Sequence, residues 1–121
     1  MKAAIKWILM DDVADRKVFC TLVQILISPA GEEGEEMFAL SVCSPKWFEE
    51  NMLWSPRTLR SDESPPRAAF GRHYLFQHTF NASEIEERVR RVVSNAEGAD
   101  WHELALKLSR YFHWEFEDYQ E

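Results

Sequence analysis

Val18-Phe19-Cys20-Thr21-Leu22-Val23-Gln24-Ile25-Leu26-Ile27-Ser28 is the stretch on which the fold turns. It is rich in β-branched and aromatic residues and is stopped by Pro29, which reads as a strand. Gly31 and Gly34, set among Glu32, Glu33, Glu35 and Glu36, then make a solvated turn. Met37 to Ser44 supplies a second strand of the same character, so the two runs are expected to form a hairpin. Alternation leaves two choices for the core face, Val23, Ile25 and Ile27 or Leu22 and Leu26, because a slip of one residue exchanges the faces.

Outward from the hairpin, Ala3 to Met10 reads as a preceding strand. Ser44-Pro45 starts a short helix carrying Trp47 and Phe48, with serine as N-cap and proline at the first helical position. Met52 to Arg67 has no clean periodicity and is punctuated by Pro56, Pro65 and Pro66, a loop whose length marks it as mobile or functional. Ala69 to Phe80 resumes as a fourth strand.

The last third is helical. Ser83 with Glu86 matches a capping box ahead of Ile85, Val89, Val92, Val93 and Ala96, and Gly98 suits a helix C-terminus. Asp100 with Glu103 repeats the capping pattern before Trp101, Leu104, Ala105, Leu108 and Phe112. The order β-β-β-α-loop-β-α-α predicts an α+β domain over residues 1–121. Its expected architecture is an antiparallel four-stranded sheet with one short helix and two C-terminal helices packed on one face.

Composition narrows the function. With 45% hydrophobic residues the 121-residue chain has ample material for a core. A net charge of −7 argues against general binding to nucleic acid or anionic membranes and suits a cationic partner. The start, Met1 to Met10, holds Lys6 within a short apolar run and lacks a small-residue cleavage site, so no signal peptide is read. Val18 to Ile27 is half the roughly 20 residues a membrane helix needs. A cytoplasmic location is the expectation. Cys20 and Cys43 make no disulfide framework and read as structural thiols.

Catalytic and ligand motifs are missing. The four glycines form neither a phosphate loop nor a dinucleotide fingerprint, and no serine elbow or zinc-protease motif occurs. His73 and His78, five apart on a predicted strand, point to opposite faces; His102 and His113 lack an obvious carboxylate or cysteine to complete a metal set. No catalytic residue, metal or cofactor is assigned, and no enzyme is expected.

Binding candidates remain. Acidic runs at Glu32, Glu33, Glu35 and Glu36 and at Glu115, Glu117 and Asp118 read either as solvated faces or as a docking surface that steers a basic partner. In the Met52-to-Arg67 loop, Trp54 and Leu59 are candidate interface anchors, while the alternative for Trp54 is a cap over the core. Arg57, Arg60, Arg67 and Arg72 give this region a local positive balance without a nucleic-acid motif, and a structural role is favoured.

Four blocks point further. They are Pro29-Ala30-Gly31-Glu32-Glu33-Gly34-Glu35-Glu36 with Phe38, then Val42-Cys43-Ser44-Pro45-Lys46-Trp47, Gly71-Arg72-His73-Tyr74-Leu75, and Trp114-Glu115-Phe116-Glu117-Asp118-Tyr119. In this order they resemble the immunity protein 8 family of bacterial polymorphic toxin systems. The resemblance spans nearly the whole chain, and its most specific blocks are the two that carry tryptophan. It implies a non-catalytic α+β protein encoded beside a toxin, whose C-terminal domain it binds and blocks in the cytoplasm. The loop from Leu53 to Pro66 is longer and richer in proline than the family pattern. A structural or adaptor module without a toxin is the competing reading. Within the last block, Trp114 and Phe116 alternate with acids as an extended tail on the sheet would, and Arg72 is expected to pair with one of its carboxylates.

Overall fold

The computed structural model describes residues 1–53 and 68–117. It contains strands β1 (Ala3–Met10), β2 (Cys20–Pro29), β3 (Glu36–Cys43), β4 (Tyr74–Phe76) and β5 (His113–Trp114). Helices α1 (Pro45–Phe48), α2 (Ala82–Asn95) and α3 (Trp101–Leu108) complete the α+β architecture, with a π turn at Glu49–Leu53 continuing α1.

β1, β2 and β3 form an antiparallel meander with Ile25 opposite Phe38 and Ile8 opposite Ile25. This register settles the question that alternation left open. Val23, Ile25 and Ile27 are fully buried under the helices, whereas Leu22 is 54% exposed. A bulge between Ile5 and Trp7 shifts the register of β1. Ile5, Ile8 and Met10 thereby join the core face, while Trp7 and Leu9 lie opposite Leu26 and Gln24 on the other face.

The outer edge of β3 is divided between two short strands. β5 pairs antiparallel with Phe38 and Ala39, and β4 pairs with Ser41, Val42 and Cys43. The sheet therefore has five strands, the fifth supplied by the tail, and β4 enters it parallel. β4 is far shorter than the expected Ala69-to-Phe80 strand for two local reasons. His73 sits at φ 61°, in the left-handed region, which breaks the extension ahead of Tyr74. After Phe76, the Gln77 side chain accepts from Asn81 N and donates to Asn81 O, curling the chain into α2.

α2 and α3 cover one face of the sheet. Ile85, Val89 and Val93 recur every four residues on α2 and meet Leu104, Ala105 and Leu108 of α3 over Val23, Ile25, Phe38, Leu40 and Val42. The cap of α2 is Asn81, whose side chain accepts from Glu84 N, rather than Ser83. Asp100 caps α3 as expected, accepting from Glu103 N. The helix ends at Leu108, short of Phe112, although Phe112 stays in the core. Gly98 does not close α2, which ends in an extended Ala96. Its lack of a side chain matters elsewhere: a Cβ there would lie 2.7 Å from Leu104 N, at the first turn of α3.

α1 takes the opposite face. Ser44 caps it, accepting from Trp47 N at 3.2 Å and from Phe19 N at 3.3 Å, so the helix start is tied to the entry of β2. Phe48 packs edge-on against Tyr74 and Phe76, at 5.3 and 5.2 Å between ring centroids. Tyr74 and Phe76 pair with Ser41 and Cys43, whose side chains lie on the face away from α2 and α3.

At the start of β3, Glu36 Oε2 accepts from the indole N–H of Trp101 at 2.5 Å and of Trp114 at 3.4 Å. Replacing Glu36 by Ala leaves both donors without a partner and is expected to cost about 2 kcal/mol. Glu35→Ala, one residue earlier on the exposed turn, should cost nothing measurable. Urea unfolding of the two variants checks this; equal midpoints would contradict the assignment.

Candidate functional site

Placing the acidic residues separates them into two kinds. Glu32, Glu33 and Glu35 stand exposed on the β2–β3 turn, whose backbone needs Gly31 at φ 76° and Gly34 at φ 105°. Glu115 joins them at the same end of the sheet, where Oε1 accepts from Met37 N at 2.8 Å and its N–H donates to Met37 O. Glu36 instead turns to the helix face to hold Trp101 and Trp114.

Glu117 is also engaged within the chain. Its carboxylate forms an ion pair with Arg72 and is only 10% exposed, and its Oε2 lies 3.8 Å from His73 Nε2. The expectation that Arg72 pairs with a tail carboxylate is met here. His73 Nε2 lies 2.8 Å from the Ser109 carbonyl, which can only accept, so this nitrogen carries the proton. The His113 ring stands 5.8 Å away, edge to face. These contacts fasten the tail to the entry of β4. Trp54, Leu59 and Asp118 lie outside the described residues.

The two cysteines face each other across β2 and β3 as free thiols. Burial pushes both thiols up, Cys43 to about 12 with a smaller contribution from neighbouring Cys20. Both stay protonated at neutral pH, which suits a packing role. Tyr74 is likewise raised, chiefly by burial. Asp15 is held low by the backbone N–H groups of Lys17 and Val18 in the loop between β1 and β2.

A cleft of about 230 Å³ lies against β4, α2 and the end of α3; among the described residues its lining includes Arg72, His73, Arg88 and Arg110 and no carboxylate. Among the described residues no group of three His, Cys, Asp or Glu side chains is placed to hold a metal ion. No helix among them is long and apolar enough to cross a membrane.

The geometry is that of a small α+β domain with Glu32, Glu33, Glu35 and Glu115 exposed together at one end of its sheet. Over residues 9–119 the chain matches Immunity protein 8, and it belongs to that family. No curated protein and no solved structure shows significant similarity to it.

Sequence reasoning missed the role of Glu36, because a glutamate at the end of an acidic run carries no local sign that two distant indoles will point at it. The other omission is the apolar outer face of the sheet, which the Lys6 bulge creates and which strict alternation along β1 hides.

Two measurements check these assignments. Arg72→Ala should destabilise the fold by about 1 to 2 kcal/mol, since it strands a mostly buried carboxylate. Arg90→Ala, which breaks only the exposed pair with Glu86, should fall below about 0.5 kcal/mol. An Arg72 variant as stable as wild type would refute a stabilising role for the Arg72–Glu117 pair. Cys43 should react with Ellman's reagent at pH 8 at least tenfold more slowly in the folded than in the urea-unfolded chain. Its pKa is raised by folding, so its contribution is complete below about pH 9, where the unfolded thiol begins to ionise, and is lost towards pH 12. Equal rates in the two states would show the thiol to be accessible.

Proposed function

We propose that this protein neutralises a cognate polymorphic toxin by binding the toxin's C-terminal domain directly in the cytoplasm, without catalysis. Membership of the immunity protein 8 family carries the reading, since an immunity protein presupposes a toxin as its target. The toxin reaches its target cell by contact or secretion, and a nuclease fits the charge argument, because nucleic-acid enzymes present basic surfaces.

The acidic end of the sheet is assigned to approach. Glu32, Glu33, Glu35 and Glu115 are exposed there, and Asp118 follows in sequence. A field of one sign raises the encounter rate with a basic partner and is screened by salt. Glu36 and Glu117 belong to the same acidic runs but hold the fold. Their part in recognition is to fix the turn and tail from which the other acids project. Trp54 and Leu59 retain the role of loop anchors.

Two experiments test this reading. Cells expressing the toxin domain encoded beside the gene should survive when the protein is co-expressed, and purified components should form a one-to-one complex. Unimpaired killing together with no binding at micromolar concentration would remove the proposal. Replacing Glu32, Glu33 and Glu35 by Gln should slow association several-fold at low salt, and the deficit should shrink as salt is raised. Association that is independent of salt in both proteins would defeat the steering role.

A further inference from the structure

An antiparallel sheet with one covered face ordinarily turns polar residues outward on the other. The β1–β2–β3 meander does not. The register places Trp7, Leu26 and Met37 in one cross-strand row of the outer face and Leu9, Gln24 and Ala39 in the next. Leu22 and Ser41 form a third row, which ends against Tyr74. Trp7 is 39% exposed, Leu9 56% and Leu22 54%, and Leu26 and Met37 are half-buried between them. Among the described residues, α1 meets this face beside β4, where Phe48 packs on Tyr74 and Phe76.

The bulge in β1 makes this arrangement. Regular alternation would place Trp7 on the same face as Ile5; the extra residue, Lys6, sends Trp7 and Leu9 outward while Ile8 and Met10 go in. A chain that needed only a core on one face and water on the other would place polar residues at these outward positions.

We propose that this outer face is the surface that docks the toxin domain, with the aliphatic rows and Trp7 at the centre of the contact and the acidic turn as its rim. The proposal rests on the immunity reading above. Charge identifies the occupant as a cationic protein. The row of Trp7, Leu26 and Met37 is the large apolar row nearest the turn that carries Glu32, Glu33 and Glu35. Glu115 sits at the same end through Met37, and Glu49 and Glu50 follow α1 on the far side. Lys2 beside the turn, Lys6 in the bulge, Lys17 in the β1–β2 loop and Lys46 in α1 are exposed opposing charges. Strand spacing and rise give three strands by six residues an extent of about 15 by 20 Å, or roughly 300 Å². That matches the desolvated centre of an interface that buries about 800 Å² on each partner, the remainder being polar rim. A tryptophan among aliphatic side chains is the composition of a binding hot spot.

Surface plasmon resonance with an inactivated form of the neighbouring toxin's C-terminal domain tests this. The double variant Leu9→Ser/Leu22→Ser alters two exposed positions and should fold, as checked by its melting temperature. It should dissociate at least tenfold faster than wild type, with association within about twofold, because central contacts act on dissociation. Leu106→Ala/Tyr111→Ala, which removes exposed apolar side chains from the helix side, should dissociate as wild type does. If wild type binds and the sheet variant dissociates at the wild-type rate, the docking face is wrong while the immunity reading stands. If wild type does not bind, that reading falls and the docking face falls with it. If the isolated protein sediments as a dimer that the Leu9/Leu22 variant splits, the face belongs to a second copy and the proposal is overturned.

Discussion

The carboxylate of Glu36 is the point on which the two ends of the chain meet. It sits at the first position of β3, and its Oε2 receives one indole N–H from α3 and one from β5. Phe38, two residues on and on the same face, is stacked on Trp114 at 6.2 Å and meets Trp101 edge-on at 6.4 Å. Indole rings bring large apolar area into a core but need a partner for the N–H. One carboxylate serves both, and the aromatic trio then closes the end of the core beneath the β2–β3 turn. A carboxylate oxygen makes a stronger, charge-assisted bond with an N–H than the oxygen of a neutral amide does.

Because α3 and β5 are fixed there, the outer edge of β3 is filled at its start by the tail and at its end by β4. The Arg72–Glu117 pair lies where these two arrivals meet. Edge protection at the other side of the sheet is of a different kind. β1 is the outermost strand, and its bulge and Lys6 interrupt the regular row of backbone groups that another strand could use. The same bulge gives the outer face its apolar character, so the device that blunts the edge also builds the surface proposed for docking.

Much of this was legible in the residues. The β2–β3 hairpin, Ser44 as the cap of α1, Asp100 as the cap of α3 and the pairing of Arg72 with the tail follow from short-range chemistry and from patterns that repeat along the chain. What escaped depends on contacts between distant segments. Asn81 rather than Ser83 caps α2 because Gln77 has already bound the Asn81 backbone, which sets where the turn begins. Gly98 looks like a helix terminator, yet its task is to let α3 approach. β4 is parallel because of where the chain re-enters the sheet after α1, which no periodicity within Ala69 to Phe80 encodes. The acidic run from Glu32 to Glu36 reads as uniform, and only the fold separates its last member from the rest.

Under the proposed function, the outer face of the sheet makes the contact with the toxin domain. Methyl NMR of the leucine- and isoleucine-labelled protein, titrated with the inactivated toxin domain, tests that most directly. Leu9, Leu22 and Leu26 should shift or broaden together at a stoichiometry of one, while Leu106 on the helix side and Ile85 in the core keep their positions. Shifts confined to Leu106 and its neighbours, with the three sheet leucines unmoved in a saturated complex, would contradict it.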